Sequence, residues 1–159
     1  MNIFSPIYIE LRDWLEFIIL FSSGSSGNFL RNFYYIYRSK TKFENNIFEI
    51  GLRIEYSKNV KISSNSYYGL NCKIYASKTS SIKIEKNISF NSNVMTNARG
   101  VGKIVIGKDF LIEPNVAIRS NNNQFENFQI SVNKQGMTKG EIIIKAVSYT
   151  HLRAHETFG

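Results

Sequence analysis

The feature that most constrains this chain is a repeat with a period of 22 that runs from Val60 to Ile118. Segments that start at Ile62, Ile84 and Ile106 align without a gap, and their large apolar residues fall at the same positions. Three asparagines align as well, namely Asn71, Asn93 and Asn115. A fixed period of this kind predicts stacked units, none of which buries its apolar face alone.

The repeat is built from hexapeptides, each with a large apolar residue at its first position and another apolar residue four places on. Ile50-Gly-Leu-Arg-Ile54 aligns with Tyr68-Gly-Leu-Asn-Cys72 at a spacing of 18, which is three hexapeptides. Three six-residue sides make one triangular turn. A spacing of 22 adds four to that turn, so we expect a loop at one corner, at Ser77 to Ser80 and again at Arg99 to Gly102.

Short alternating runs of β-branched residues predict strands in which every other side chain points inward. These runs are Val60-Lys-Ile62, Ile82-Lys-Ile84 and Ile104-Val-Ile106. Like residues of successive turns then stack in ladders inside a prism. We therefore predict an all-β parallel β-helix over residues 47–145, preceded by a helical segment at 1–46 that caps it.

Three segments carry a resemblance to a known family: Ile106-Gly-Lys-Asp-Phe-Leu-Ile112-Glu-Pro-Asn-Val-Ala-Ile118, the following Arg-Ser-Asn-Asn-Asn-Gln-Phe125, and Lys134-Gln-Gly136. With them the chain resembles, over roughly residues 24 to 145, the hexapeptide-repeat acyltransferases, in particular the sugar O-acetyltransferases of surface-polysaccharide synthesis. It implies a left-handed β-helix, which departs from the usual right-handed crossover. It also implies a homotrimer with acetyl-CoA between neighbouring prisms, and a sugar of a capsule or lipopolysaccharide precursor as the acceptor.

One long loop interrupts the hexapeptides between Arg119 and Glu141, and Ile142 and Ile144 recover the register on its far side. A single long loop on a solenoid is usually a site of binding or catalysis. The resemblance implies that the loop binds the acceptor, and the predicted substrate-binding residues are Ser120, Asn121, Asn122, Phe125, Gln135 and Gly136. Three apolar side chains are available to cover a pocket, Phe125, Phe128 and Met137.

The family that this chain resembles has a catalytic histidine in the loop, within Ser-Asn-Asn-His. Transfer of an acetyl group from a thioester to a hydroxyl needs a base near neutral pH, and amides then stabilise the oxyanion. The aligned residue here is Asn123, which cannot act as that base. Three explanations stay open: a non-catalytic member, a base contributed from elsewhere, or a sequence error. We interpret Glu126 and Glu141 as solvated carboxylates.

The two histidines of the chain, His151 and His155, lie beyond Lys145, where the hexapeptide pattern stops. Residues 146–159 resemble the translation of a sequencing-library adapter, so we expect neither histidine to bind a ligand or take part in catalysis. The resemblance then implies an incomplete fragment that lacks most of the coenzyme A groove. We also expect the last coil to be an unpaired β edge that is prone to aggregate.

The N-terminal segment predicts two helices. Tyr8 to Phe21 is one, and its uninterrupted apolar run is too short to cross a bilayer. Ser22 to Gly27 predicts a flexible break, and Asn28 to Lys42 predicts an amphipathic basic helix. Two interpretations of this second helix stay open: a cap that closes the bottom of the β-helix, or a peripheral membrane contact through residues 1–42.

Composition excludes several function classes. The formal net charge is +8, but the lysines and arginines are scattered, so we expect no nucleic-acid binding. The single cysteine, Cys72, aligns with valines and is interpreted as a core residue, and an unpaired thiol favours a cytoplasmic location. We expect no metal, because a zinc site of the β-helix carbonic anhydrase kind needs three histidines and residues 1–145 contain none.

Two function classes remain. The first is an acetyl-CoA-dependent O-acetyltransferase that acts on a sugar hydroxyl. The second is a catalytically inactive β-helix that serves as a scaffold or trimer partner. The missing histidine favours the second class, whereas the long loop and the Gln135-Gly136 pair favour the first.

Overall fold

The computed structural model describes residues 4–39 and 44–146, which form a parallel β-solenoid preceded by two helices. Helix α1 spans Phe4–Phe21 and helix α2 spans Gly24–Ser39. In the described part of the chain, neither helix combines the length and the apolar character needed to cross a membrane. The predicted tail, with its two histidines, lies outside the described residues apart from Ala146.

The strands are β1 (Ile47–Phe48), β2 (Arg53–Glu55), β3 (Val60–Ile62), β4 (Tyr67–Tyr68), β5 (Lys73–Tyr75), β6 (Ser81–Ile84), β7 (Ile88–Phe90), β8 (Met95–Asn97), β9 (Lys103–Ile106), β10 (Phe110–Ile112), β11 (Ala117–Arg119) and β12 (Glu141–Ile144). They form three parallel sheets: sheet A (β1-β4-β7-β10), sheet B (β2-β5-β8-β11) and sheet C (β3-β6-β9-β12). Each turn of the chain contributes one strand to each sheet. This is the parallel β-helix that the repeat predicts, and it is consistent with a left-handed sense.

The predicted ladders are confirmed by the strand register. Ile62 pairs with Ile84, and Ile84 pairs with Ile106, so these three side chains lie in successive layers of sheet C. All three are buried. Tyr68 and Phe90 form the corresponding ladder in sheet A, with ring centroids 5.0 Å apart. Stacking of the turns buries these side chains and so shields from water the apolar face that no single turn could cover.

The first coil corrects one prediction from the sequence. Phe48 pairs with Tyr68 and Ile54 pairs with Ile74, so the spacing there is 20 instead of the predicted 18. The Gly-Leu dipeptides at 51–52 and 69–70 suggested the wrong register. Gly51 instead faces Asn71, whose Oδ1 would lie only 2.4 Å from a Cβ at that glycine.

The repeated asparagines occupy one corner of the prism in a left-handed backbone conformation. The φ angles are +56° at Asn71, +61° at Asn93 and +64° at Asn115. Asparagine tolerates this conformation better than most residues with a side chain, because its short polar group bonds locally. The asparagine repeat is therefore a signal for the corner geometry.

A second corner carries the loops. Residues 76–80, 98–102 and 120–140 each connect a strand of sheet B to the next strand of sheet C. The predicted corner loops are thereby confirmed, and so is the return to register after the long loop, since Ile142 pairs with Ile104. All three loops are stacked along one edge of the solenoid.

Helix α2 closes the lower end of the solenoid. This position agrees with the interpretation of the segment as a cap. Backbone groups of the first coil that face away from the second coil bond to side chains of the helix. Arg31 Nε donates to Phe48 O at 2.7 Å, and Tyr35 Oη donates to Leu52 O at 2.8 Å. Phe48 N donates to Asn28 Oδ1 at 2.8 Å. The exposed edge of a parallel sheet is thus satisfied by polar side chains instead of another strand.

The predicted flexible break at Ser22 to Gly27 is wrong, because α2 begins at Gly24 and leaves only Ser22 and Ser23 between the helices. Gly27 lies buried in the first turn of α2. A Cβ at this glycine would lie 2.0 Å from Ser22 O and 3.0 Å from Arg31 Nη1. The glycine is therefore required for the close packing of the two helix ends.

Candidate functional site

The long loop 120–140 forms an arm that projects from the corner between sheets B and C. Its two sides pair as antiparallel backbone around an isolated bridge between Asn123 and Met137. Thr138 N donates to Asn122 O at 2.8 Å, and Gln124 N donates to Gly136 O at 3.1 Å. The structure therefore brings Asn122 and Asn123 next to Gly136, which lies on the returning side of the loop.

Two predicted site residues lie at the base of the arm and are buried. Asn121 Nδ2 donates to Arg99 O in the neighbouring corner loop and contacts Met137 Sδ at 2.9 Å. Gly140 packs on Ser120, since a Cβ there would lie 1.9 Å from Ser120 O. These contacts at its base fix the position of the arm on the solenoid. Two buried polar atoms at the base, Ser120 Oγ and Asn121 Oδ1, have no hydrogen-bond partner among the described residues.

The predicted site residue Gln135 uses its side chain to hold the tip of the arm together. Its Oε1 accepts from Asn127 N at 3.0 Å. Its Nε2 donates to Asn127 O at 2.8 Å and to Ile130 O at 2.6 Å. Gly136 follows with φ +89°, a conformation that L side chains rarely adopt. The Gln-Gly pair therefore shapes the arm, a role that the sequence alone did not identify.

The outer surface of the arm is open to solvent. Asn122 and Asn123 are exposed, Phe125 is 70% exposed and Phe128 is 95% exposed. Within one chain both aromatic side chains are turned to solvent. The predicted site residues thus divide into a buried base at Ser120 and Asn121, and an exposed outer part of the arm that includes Phe125.

The arm offers amide groups but no imidazole. Both histidines lie outside the described residues, and no group of three potential metal-ligating side chains occurs within them. Glu126 of the arm is exposed, and Glu141, which begins β12 directly after the arm, lies 2.7 Å from Lys103 Nζ in an exposed ion pair. What the arm can supply is a set of hydrogen-bond donors for an oxyanion or a sugar hydroxyl.

A groove of about 670 Å³ runs along the outer face of sheet B, and the sequence reasoning missed it. Its lining includes Arg53 and Lys73, which pair in register, and Leu20 and Phe21 close its lower end. The groove is also lined by Asn71, Asn93 and Asn115 of the asparagine corner. The signal for this groove in the sequence was the presence of two cationic residues, Arg53 and Lys73, on the outward face of adjacent layers.

The corner loop below the arm borders the same groove. The Arg99 guanidinium lies over the ring of Tyr75, 4.4 Å from its centroid, and pairs with the Glu55 carboxylate. Tyr75 itself lines the groove. The groove and the arm thus share one edge of the solenoid. Comparison with protein-family models, with curated proteins and with solved structures found no match for this chain.

Cys72 lies outside both features and is expected to be unreactive in the folded protein. It is fully buried in the core, and burial raises the pKa of its thiol to about 11. Because the thiolate is the reactive form, the native protein should not react with Ellman's reagent at pH 8, whereas denatured protein should release one equivalent of the coloured product.

A Lys78→Cys variant gives the matched control for this measurement. Lys78 is exposed in the corner loop of the same coil, so the variant should react with one equivalent before denaturation. Rapid modification of the unsubstituted native protein would contradict the core position of Cys72.

Proposed function

We propose that this chain belongs to the hexapeptide-repeat acyltransferases and acts in acetyl-CoA-dependent O-acetylation of a sugar hydroxyl in capsule or lipopolysaccharide synthesis. The observation that carries the proposal is the single long arm at one corner of a regular parallel β-helix. An arm of this length on a solenoid is typical of a ligand-binding edge. The substrate-binding residues of the proposal lie along it, from Ser120 to Gly136.

The groove on sheet B supports a donor that carries phosphates. Lys73 provides positive charge, Arg53 in the adjacent layer is shared with Glu55 at 3.7 Å, and the overall net charge of +8 favours an anionic ligand. We place part of acetyl-CoA along this groove, with a neighbouring copy of the chain in a homotrimer as the opposite wall. The proposed location is cytoplasmic, where acetyl-CoA is made.

The proposed reaction is attack of a sugar hydroxyl oxygen on the thioester carbonyl. The new ester bond forms, the carbon–sulfur bond breaks, and coenzyme A leaves as the thiol. An amide donor of the arm, Asn122, would stabilise the oxyanion that develops on the carbonyl oxygen. The hydroxyl proton needs a base that the described residues of one chain do not provide at this position.

A second candidate function is a catalytically inactive scaffold or trimer partner. The observation that favours it is Asn123 itself, an exposed amide where the proposed chemistry needs a base. The two functions differ in a binding measurement. Calorimetric titration with acetyl-CoA should give saturable heat for a transferase and none for a scaffold.

An Asn123→His variant is expected to increase acetyl transfer at least about 100-fold, because a positioned general base contributes roughly that much. The assay follows coenzyme A release with Ellman's reagent, in the presence of a panel of nucleotide sugars and nitrophenyl glycosides. The buried Cys72 thiol should give little background in this assay.

Asn133→His is the matched control, since it adds an imidazole elsewhere in the same loop. It should leave transfer at the level of the unsubstituted protein. No transfer by any of the three proteins, together with no heat on titration with acetyl-CoA, would reject the transferase in favour of the scaffold.

A further inference from the structure

Helix α2 buries its polar face and exposes its apolar face, which is the reverse of an ordinary surface helix. Its buried residues are Gly27, Arg31, Tyr35 and Ser39, one per turn. Its opposite face carries large apolar side chains, with Phe29 at 69%, Phe33 at 63% and Tyr37 at 80% exposure. A helix that only had to pack on a core would bury its apolar face instead.

The polar inner face has a structural cause. The lower edge of the first coil presents backbone donors and acceptors, and the side chains of α2 must satisfy them. Apolar residues could not do so. The aromatic residues of the outer face therefore have no role in closing the solenoid, and their presence requires a separate explanation.

Helix α1 also exposes a broad apolar face, although its inner side is partly apolar. Its Leu20 is buried, and Glu16 lies on the inner side, 3.5 Å from Arg38 of α2. At 3.6 residues per turn, its outward apolar residues cover an arc of roughly 140° that contains no charged residue. These residues are Ile7, Tyr8, Leu11, Trp14, Leu15, Ile18 and Phe21, and each is 49% exposed or more.

The charges around these faces suit an anionic surface. The carboxylate of Asp13 is paired with Arg12 at 2.7 Å, and that of Glu16 is paired with Arg38, whereas Glu10 is exposed without an ion pair among the described residues. In the sequence, Lys40 and Lys42 follow α2 directly, and the whole chain carries +8. The cationic body and the two neutralised carboxylates make the protein complementary in charge to a bilayer that contains anionic lipids.

We propose that the outward faces of α1 and α2 dock the protein onto an anionic lipid bilayer, with the helices lying in the interface. The exposed tryptophan and tyrosine rings are of the kind that the interface between headgroups and acyl chains favours. A second copy could also bury these faces in a helical bundle, and the experiment below distinguishes that occupant from lipid.

Trp14 is the only tryptophan of the chain, so its fluorescence reports on this surface alone. The full chain should co-float with vesicles of phosphatidylcholine and phosphatidylglycerol, and the Trp14 emission should shift to shorter wavelength. Brominated lipids should quench it. Vesicles of phosphatidylcholine alone should bind less protein, because the charge attraction is then absent.

A Leu11→Glu, Phe33→Glu double variant should remain in the soluble fraction. The matched control is Leu70→Glu, Leu111→Glu, which makes the same change in charge at two exposed leucines of the solenoid and should still co-float. Circular dichroism checks that both variants are folded. Equal flotation of the two variants, or no flotation of the unsubstituted protein, would overturn the proposal. A second copy would be the occupant if the Trp14 emission were already at shorter wavelength without lipid and if sedimentation showed an oligomer. Dilution would then dissociate the oligomer and reverse the shift, and this result would overturn the proposal.

Discussion

Replacement of Arg31 by methionine is expected to lower the free energy of unfolding by about 3 kcal/mol or more, because it leaves buried carbonyls without a donor. Arg31 is 1% exposed. Its Nη1 donates to Ser22 O at 2.6 Å, and its Nε donates to Phe48 O at 2.7 Å. The same guanidinium lies 3.4 Å from Leu20 O at the end of α1, where a positive charge is favourable. One side chain thus joins both helices to the first coil.

The measurement is urea denaturation followed by circular dichroism. In a solenoid the terminal units unfold with some independence, so the helical signal of the Arg31→Met variant should be lost before the β signal. Arg38→Met is the control on the same helix, and it removes a half-exposed ion pair to Glu16 and the exposed contacts of Arg38 with Tyr34, which should cost about 1 kcal/mol. Similar losses for the two variants would contradict the role of Arg31 in the cap.

Much of the solenoid was predictable from the sequence, because its period is local and its ladders recur. Ile62 and Ile84 were recognisable as equivalent positions, and the register confirms that they pair. The asparagine corner was visible as a repeat, although its left-handed backbone was not part of the prediction. Hexapeptide spacing was sufficient to place the long loop at one corner.

The first coil was not predicted correctly because the capping helix, and not the repeat, determines its environment. Ile50-Gly-Leu was aligned with Tyr68-Gly-Leu, but the structure pairs Phe48 with Tyr68. Phe48 is fixed from below by Arg31 and Asn28, which are 17 and 20 residues away in the chain. A pattern confined to neighbouring turns contains no information on such contacts.

The candidate site was predictable in its location but not in its internal roles. The interruption of the register identified the arm, yet nothing local indicated that Gln135 binds Asn127 and Ile130 within the tip. The polarity of α2 was missed for the same reason. The sequence predicts an amphipathic basic helix, and only the contacts of the polar face decide which side is buried.

The second large effect is expected for Ile84→Asp, which should lower the free energy of unfolding by more than about 4 kcal/mol. Ile84 is fully buried in sheet C and lies between Ile62 and Ile106 of the adjacent layers. A carboxylate there has no donor to pair with, and it would separate the layers above it from the capped coil below. The arm, which the upper layers carry, should then lose its fixed position.

Thermal and urea denaturation of three variants test this expectation. Ile84→Val keeps the ladder and should cost about 1 kcal/mol, the usual effect of one buried methylene. Ser81→Asp introduces the same carboxylate on the same strand at an exposed position, so it should change the stability by no more than about 0.5 kcal/mol. If Ile84→Asp proved as stable as Ser81→Asp, Ile84 would not point into the prism. The stacked ladder that supports the arm, and with it the proposed transfer site, would then have to be abandoned.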